Sequence, residues 1–207
     1  MSLWAIVPVK PLRRGKSRLR EVLSEEKRAV LNYSMLDKTL LTLSGVPEID
    51  QILVVSRDPA ALALARDRGA RTLMEDGSPE LNLALKRASA VAKTYNAHAV
   101  IIIPADLPLL SINDLKLFIG HSGNPPEMII SPDRRWDGTN ALLLNPIGSI
   151  EYAYGVGSLC KHINQAKENN MHVKVLPLVT IGFDLDLPED LEMLRQIETD
   201  QLSLVIA

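Results

Sequence analysis

The sequence predicts an α/β fold built around one mostly parallel sheet. Apolar runs of four to eight residues alternate with stretches of helical periodicity up to about position 118, which is the pattern of βαβ units. Beyond that position the apolar runs become shorter, and we expect at least one of them to form an antiparallel strand. No internal repeat or linker interrupts the 207 residues, so a single domain over 1–207 is predicted.

Strand-like runs and helical periodicity place the first elements. Leu3 to Val9 is the first predicted strand, and a basic loop connects it to a helix that begins near Ser24. The second strand runs from Gln51 to Ser56. The face of the first helix that is expected to pack on the sheet carries apolar residues at spacings of three and four: Val30, Tyr33, Leu36, Leu40 and Leu43.

Cap residues mark the next helices. Asp58 is the predicted N-cap of the second helix, with Pro59 at its first position and Gly69 just past its end. Ser78, Pro79 and Glu80 open a third helix that runs to about Tyr95, and Ser111 forms a capping box with Asp114. The remaining predicted strands are Ala70 to Met74, His98 to Pro104, Met128 to Ser131, Thr139 to Leu144 and Val173 to Leu178.

The composition argues against several classes of protein. With 23 Lys and Arg against 25 Asp and Glu, the chain lacks the positive surplus that general binding to nucleic acid requires. Its longest apolar run, Ala97 to Pro104, is far shorter than the ~20 residues that span a bilayer. Cys160 is the single cysteine, so no intrachain disulfide can form. We therefore expect a cytoplasmic protein without membrane or nucleic-acid partners, and the sequence is compatible with a homodimer.

A basic loop follows the first strand. Five cationic residues lie within nine positions: Lys10, Arg13, Arg14, Lys16 and Arg18. Ligands of open α/β sheets bind beyond the carboxyl ends of the strands, so this loop is a candidate site for a triphosphate. It is not a Walker A loop, because Lys10 lies where that motif needs its first glycine. A solvated basic turn is the alternative interpretation.

Three carboxylates form a candidate cation site. Asp106 follows a buried strand and lies between two prolines, whereas Asp184 and Asp186 alternate with apolar residues and would point to the same side of an extended segment. A simple turn would explain Asp106 alone, and an amphipathic edge strand would explain the pair. If all three meet, like charges about 4 Å apart repel by roughly 4 kcal/mol at an effective dielectric constant near 20, so the cluster needs a cation. An all-oxygen ligand set favours Mg²⁺ over zinc.

Two polar segments could supply donors to an anionic group. Residues 131–140 separate two predicted strands, and residues 154–158 open a helix that continues through His162. Gly155 to Cys160 lacks the third glycine of a dinucleotide fingerprint, so a Rossmann site is not predicted. Free backbone N–H groups at the start of this helix would suit a carboxylate or phosphate, with ordinary turn and cap chemistry as the alternative.

A series of motifs spans nearly the whole chain: Val7-Pro8-Val9-Lys10, Lys16-Ser17-Arg18-Leu19, Leu81-Asn82-Leu83-Ala84-Leu85, Pro104-Ala105-Asp106-Leu107-Pro108, Ser131-Pro132-Asp133, Asp137-Gly138-Thr139-Asn140, Gly155 through Ser158 to His162, and Asp184-Leu185-Asp186-Leu187-Pro188. In order and spacing the series resembles the 2-phospho-L-lactate guanylyltransferase family. The resemblance implies a nucleotidyltransferase fold of the glycosyltransferase-A type, with three α/β/α layers. It also implies an enzyme that joins GTP to 2-phospho-L-lactate or phosphoenolpyruvate, with release of pyrophosphate, in the biosynthesis of the deazaflavin coenzyme F-420.

The resemblance also assigns roles to residues. The implied magnesium ligands are Asp106, Asp184 and Asp186, and the implied contacts to the carboxylate of the acceptor are Thr139, Gly155 and Ser158. The implied nucleotide-binding residues are Pro8, Lys10, Lys16, Arg18 and Asn82. Among these, Lys16 and Arg18 would act on the triphosphate during catalysis together with Asp106, a role that also follows from their charge and position.

One position departs from the family pattern. Glu80 stands where relatives commonly have glycine, and its carboxylate could crowd the base or ribose, so guanine preference is less firmly predicted than the metal site. Two alternatives stay open: another nucleotidyltransferase, of the molybdenum-cofactor or sugar-acid type, and a non-catalytic nucleotide-binding module. The sequence does not determine which phospho-acid is the acceptor.

Overall fold

Seven strands form one mixed sheet, and their order determines where the site lies. The computed structural model describes residues 2–77 and 79–206, with side chains described as far as residue 197. The strands are β1 (Leu3–Val9), β2 (Gln51–Ser56), β3 (Arg71–Met74), β4 (Ala99–Ile102), β5 (Glu127–Pro132), β6 (Thr139–Asn145) and β7 (His172–Val175). They are arranged in the order β3-β2-β1-β4-β6-β5-β7. Ser78, which was predicted to open the third helix, lies outside the described residues.

One strand runs against the rest. β6 pairs antiparallel with both β4 and β5, whereas the other neighbouring strands of the described sheet pair in parallel. The prediction of a mostly parallel sheet with an antiparallel strand is therefore confirmed. The reversal has a consequence for the site: the amino end of β6 lies at the same edge as the carboxyl ends of its neighbours.

Helices cover both faces of the sheet. They are α1 (Glu25–Ser44), α2 (Pro59–Asp67), α3 (Leu81–Thr94), α4 (Ile112–Gly120), α5 (Ser158–Glu168), the short α6 (Val179–Gly182) and α7 (Pro188–Ile206), with a 3₁₀ helix at Ser17–Leu19. One buried cluster contains apolar residues of α1, α2 and α4, and the other contains residues of α3 and α5. Along β1, Ala5 and Val7 face the first cluster while Trp4 and Ile6 face the second. The result is the three-layer α/β/α arrangement.

The predicted caps form as expected. Ser24 accepts a hydrogen bond from the N–H of Lys27, and Asp58 accepts one from the N–H of Ala60. Ser111 and Asp114 form the complete capping box. These contacts are local in sequence, which is why the residue types alone predicted them.

The predicted buried face of α1 is wrong at its amino end. Leu36, Leu40 and Leu43 are buried, but Val30 is 69% exposed and Tyr33 is 47% exposed. A step of three residues falls short of a full helical turn, so two successive steps rotate the stripe by about 120° around the helix. Val30 is therefore turned toward solvent.

Strand limits also differ in detail. β7 ends at Val175, three residues earlier than the predicted end, and β4 is shorter than the apolar run from His98 to Pro104. Residues 188–206 form α7, an element that the sequence reasoning did not assign. None of the helices within the described residues has the length and hydropathy needed to cross a membrane.

Candidate active site

The site lies at the sheet edge where β1 and β4 end and β6 begins. The strand order reverses direction between β1 and β4, and the crevice at such a reversal is the usual ligand site of an open α/β sheet. The loop after β1 contains Lys10 and Lys16, and the turn after β4 contains Asp106. Thr139 begins β6 and lies at the same edge. The fold thus brings together residues from both halves of the chain.

Lys16 joins the basic loop to two of the predicted carboxylates. Its Nζ lies 2.9 Å from Asp106 Oδ2 and 2.9 Å from Asp186 Oδ1. The Lys16 side chain is 5% exposed, whereas those of Asp106 and Asp186 are 32% and 40% exposed. In this structure the ammonium group of Lys16 supplies positive charge to both carboxylates.

Shifts in pKa show the charge balance of the cluster. Burial by itself lowers the pKa of Lys16, but attraction to Asp106 and Asp186 and hydrogen bonds to both outweigh it and raise the pKa. Burial opposes ionisation of Asp186 too, yet the nearby Lys16 ammonium leaves its pKa below the usual value. The pKa of Asp184 is raised by burial first and then by the charge of Asp106. Asp184 is thus close enough to share the electrostatics of the cluster.

The basic loop is held in place by side chains beneath it. The N–H of Leu12 donates to Asp58 Oδ2 at 2.7 Å, and Asn32 Nδ2 donates to the carbonyl of Leu12 at 2.6 Å. Arg28 donates to the carbonyl of Gly15 at 3.3 Å. Lys16 itself has a left-handed backbone, with φ of 56°, which turns its side chain to the carboxylates. The loop is a structured part of the site, unlike a solvated turn.

The five cations of the loop have different surroundings. Arg18 reaches Asp186 Oδ2 at 3.6 Å with a side chain that is 65% exposed, so its remaining donors face solvent. Arg13 pairs with Glu25 at 3.3 Å on the surface of α1. Lys10 is exposed and close enough to Asp186 to lower its pKa slightly, after the larger effect of Lys16. The cations nearest the carboxylates are therefore Lys16, Arg18 and Lys10.

A cavity of about 300 Å³ adjoins the cluster. It lies over the carboxyl ends of β1 and β2 and the start of α3, with Asp106 at one side. The residues that line it include Pro8, Lys10, Arg57, Glu75, Glu80 and Asp106. This volume is at the lower end of the range for small-molecule sites.

Asn82 and Glu80 bind backbone groups around this cavity. Asn82 Oδ1 accepts from the N–H of Tyr154 at 2.8 Å, and its Nδ2 donates to the carbonyl of Tyr154 at 3.3 Å. Asn82 therefore links α3 to the segment before α5. The carboxylate of Glu80 accepts from the N–H groups of Asn82 and Leu83, at 3.0 and 2.9 Å, and so caps its own helix. That cap turns the carboxylate of Glu80 toward its own helix.

Thr139, Ser158 and His162 form a buried polar network. Ser158 Oγ donates to Thr139 Oγ1 at 3.2 Å, and Thr139 Oγ1 lies 3.1 Å from His162 Nδ1. The N–H of Ala153 donates to His162 Nε2 at 3.0 Å. Burial lowers the pKa of His162 to about 4, and the charge of Lys161 adds to the effect. His162 is therefore neutral at physiological pH.

Three N–H groups at the amino end of α5 already have partners within the protein. The N–H of Gly157 donates to Asp137 Oδ2, that of Ser158 to the carbonyl of Gly155, and that of Leu159 to the carbonyl of Asp137. Asp137, in the polar loop 133–138, accepts from two of these groups, those of Gly157 and Leu159. Tertiary contacts therefore occupy part of the helix terminus, and the anion site at this terminus stays a prediction.

Comparisons with known proteins identify the family of this chain. A family model described as guanylyl transferase CofC like matches residues 3–200. This chain belongs to that family. It is 42% identical over 195 residues to a phosphoenolpyruvate guanylyltransferase of Rubrobacter xylanophilus, covering 94% of each chain. It is 34% identical over 191 residues to a 2-phospho-L-lactate guanylyltransferase of Methanocaldococcus jannaschii, covering 92% of this chain and 81% of the relative.

The chain is also similar in fold to a solved structure. A nucleotidyl transferase from Methanothermobacter superposes with a TM-score of 0.69 at 14% identity, covering 97% of this chain and 99% of the other. At this identity the likeness shows the fold alone. The nucleotidyltransferase fold inferred from the motifs is thereby confirmed.

The structure of this CofC-like chain divides the predicted site residues into two groups. Lys16 pairs with Asp106 and Asp186, and Arg18 also reaches Asp186. Asp184 lies close enough for the charges of Asp106 and Asp186 to raise its pKa. Thr139 and Ser158 meet in the network with His162. Asn140, which follows Thr139 in the chain, has its Nδ2 3.5 Å from Asp184 Oδ1, so the two groups are neighbours. Across the described part of the chain, no group of three or more His, Cys, Asp or Glu side chains has the spacing of metal ligands. The magnesium site stays a prediction.

Sequence reasoning missed two residues of the site. His162 was named only as the end of a motif and received no role, although it follows Ser158 by four positions and therefore shares its helix face. Asp190 is 2% exposed, accepts from the N–H groups of Asp186 and Leu187 at 2.8 and 2.7 Å, and pairs with Arg134. It fixes the segment that carries Asp184 and Asp186. Its signal is its position soon after Pro188, in the first turn of α7.

Proposed function

We propose that this protein transfers the guanylyl group of GTP to a three-carbon phospho-acid, with release of pyrophosphate. The observation that carries the proposal is the meeting of Lys16, Asp106 and Asp186 beside a cavity that Asp106 also lines, in a chain whose family is that of guanylyl transferases. The cavity would take the nucleoside, and the network of Thr139 would take the acceptor. The cluster would then lie where the two phosphate groups meet.

The reaction requires bringing two anions together. A phosphate oxygen of the acceptor forms a bond to the α-phosphorus of GTP, the bond from that phosphorus to the bridging oxygen breaks, and pyrophosphate leaves on the opposite side. The acceptor is already anionic, so no protein nucleophile is needed. The protein's task is to orient both substrates and offset their repulsion. Lys16, Arg18 and Lys10 would bind phosphate oxygens.

Magnesium fits the donor set at this point. Asp106, Asp184 and Asp186 offer only oxygen ligands, and together they carry more negative charge than the Lys16 ammonium offsets. We propose these three as the residues that hold the ion, with Lys16 moving from between Asp106 and Asp186 toward the triphosphate. The bound ion would neutralise phosphate charge during transfer.

Phosphoenolpyruvate is the favoured acceptor. The relative named for phosphoenolpyruvate shares 42% identity with this chain, against 34% for the one named for 2-phospho-L-lactate. The proposed product would enter the biosynthesis of coenzyme F-420. The cytoplasmic location, the homodimer and the absence of nucleic-acid partners are further parts of the proposal, and light scattering on the purified protein measures the oligomeric state.

The test is incubation with magnesium, GTP and either phospho-acid, with the product identified by mass and pyrophosphate measured separately. We expect a guanylylated product with phosphoenolpyruvate. CTP in place of GTP is the control for the donor, and a sugar acid is the control for the acceptor. A product with CTP and a sugar acid would favour another nucleotidyltransferase, and no pyrophosphate with any pair of substrates would favour a non-catalytic module.

A further inference from the structure

The buried network behind the acceptor side has a defined direction of hydrogen bonding. Thr139, Ser158 and His162 are 6%, 1% and 0% exposed, so water does not compete for their contacts. His162 Nε2 accepts from the N–H of Ala153, so this nitrogen carries no hydrogen. A neutral imidazole with an unprotonated Nε2 has its hydrogen on Nδ1. Nδ1–H therefore donates to Thr139 Oγ1 across 3.1 Å.

This direction uses both acceptor positions of the Thr139 hydroxyl. A hydroxyl oxygen accepts two hydrogen bonds and donates one. Thr139 Oγ1 accepts one from His162 Nδ1–H and one from Ser158 Oγ–H at 3.2 Å. The hydrogen of Thr139 is thus left to donate, and no acceptor for it is present within the described residues. The network ends in a hydroxyl that can only offer a hydrogen.

Three N–H groups at the amino end of the neighbouring helix α5 are already engaged. The N–H groups of Gly157, Ser158 and Leu159 already donate to Asp137 and Gly155. These three groups are therefore not available to a carboxylate that docks here, whereas the hydroxyl of Thr139 is. A carboxylate is a pure acceptor, which matches a hydroxyl that only donates.

We propose that His162 is a positioning residue that holds the Thr139 hydroxyl as a donor to the carboxylate of the acceptor. The inference rests on the proposed function and deepens it, because it names the group that selects acceptors with a carboxylate. His162 does not touch the acceptor. Without it, the Thr139 hydroxyl regains an open acceptor position and can rotate, so the donor is no longer directed at the substrate.

The test compares variants that separate the two bonds of the imidazole. His162→Leu removes both the donor to Thr139 and the acceptor for Ala153. His162→Asn places an amide nitrogen where Nδ1 was and keeps the donor. Gln165→Leu is the matched control, because Gln165 also lies on α5 and accepts a backbone hydrogen bond, from Glu151 at 2.9 Å, without touching Thr139.

We expect His162→Leu to raise the KM for phosphoenolpyruvate by about tenfold or more, since a hydrogen bond to a charged group contributes about 1.5–3 kcal/mol. The KM for GTP should change by less than about twofold, and His162→Asn should recover most of the loss. Gln165→Leu should leave the KM for both substrates unchanged. If His162→Leu does not fold, Thr139→Val tests the same donor, and it should raise the KM for phosphoenolpyruvate alone.

Three results would overturn the inference: an unchanged KM for phosphoenolpyruvate, an equal rise for both substrates, or His162→Asn as weak as His162→Leu. Failure of the proposed function looks different, because wild-type protein would then form no product with either phospho-acid. In that case calorimetric titration of phosphoenolpyruvate into wild-type protein and His162→Leu decides the inference. Tighter binding by the wild-type protein supports it, and equal or absent binding overturns it.

Discussion

Replacing Lys16 with methionine removes the ammonium group that lies 2.9 Å from both Asp106 Oδ2 and Asp186 Oδ1. At an effective dielectric constant near 20, each contact is worth about 6 kcal/mol before any opposing cost. Two effects reduce this value. The carboxylates are 32% and 40% exposed and so are screened by water, and the ammonium is desolvated at 5% exposure. We expect a net loss of about 2 kcal/mol in the free energy of unfolding for Lys16→Met.

Thermal unfolding followed by circular dichroism measures the loss. For a chain of this length, about 2 kcal/mol corresponds to a decrease in Tm of about 4–8 °C. Magnesium should restore more stability to Lys16→Met than to the wild-type protein, because in the wild-type protein the ion must displace the ammonium. Lys116→Met, at an exposed position on α4, is the control and should change the Tm by little.

Two results would refute this reasoning. An unchanged Tm for Lys16→Met would mean that the ammonium contributes no net stabilisation to the cluster. An equal rise in Tm on adding magnesium to both proteins would mean that the ion and the ammonium do not share carboxylates. In the second case the ligand assignment for Asp106 and Asp186 would be dropped.

Three further predictions follow from single contacts. Asp106→Asn should lower turnover at least about a hundredfold, because it removes one charge at the phosphate junction. It also weakens one of the two Lys16 contacts, so the Tm should fall by about 2–4 °C; near-normal pyrophosphate release would exclude Asp106 from the catalytic role. The pKa of His162 is about 4 in the folded protein against 6.5 for the free group, so the folded state binds fewer protons than the unfolded state. The free energy of unfolding should therefore be highest above pH 6.5 and should fall by about 3 kcal/mol as the pH drops to about 4. Urea unfolding checks this, and His162→Leu should lack that part of the pH dependence; identical slopes for both proteins would contradict the assignment. Asn82→Leu should lower the free energy of unfolding by about 1–2 kcal/mol, because it breaks both hydrogen bonds to the partly buried backbone of Tyr154; a urea midpoint equal to that of the wild-type protein would show that this link does not stabilise the fold.

Several contacts of the site join residues too distant in sequence for local patterns to pair. Lys16 meets Asp106 across 90 positions and Asp186 across 170. The sequence argument recognised that the carboxylates need a cation and that the loop contains cations, but it assigned the loop to the triphosphate and the carboxylates to magnesium. Charge and spacing name the groups, whereas the left-handed backbone at Lys16 and the sheet order bring them together.

The sequence by itself determined the alternation of strands and helices, the caps at Ser24, Asp58 and Ser111, and the motifs that identify the family. These depend on residues a few positions apart, whose hydrogen bonds and periodicity are local. The tertiary structure decided the rest. Reversal of β6 placed Thr139 beside the end of β4, at the sheet edge where β1 also ends, and Asp137 took up the N–H groups of Gly157 and Leu159. Burial then gave His162 its neutral state, because the cost of removing a charge from water depends on everything packed around it. The N–H of Ala153 set the direction of its hydrogen bonds.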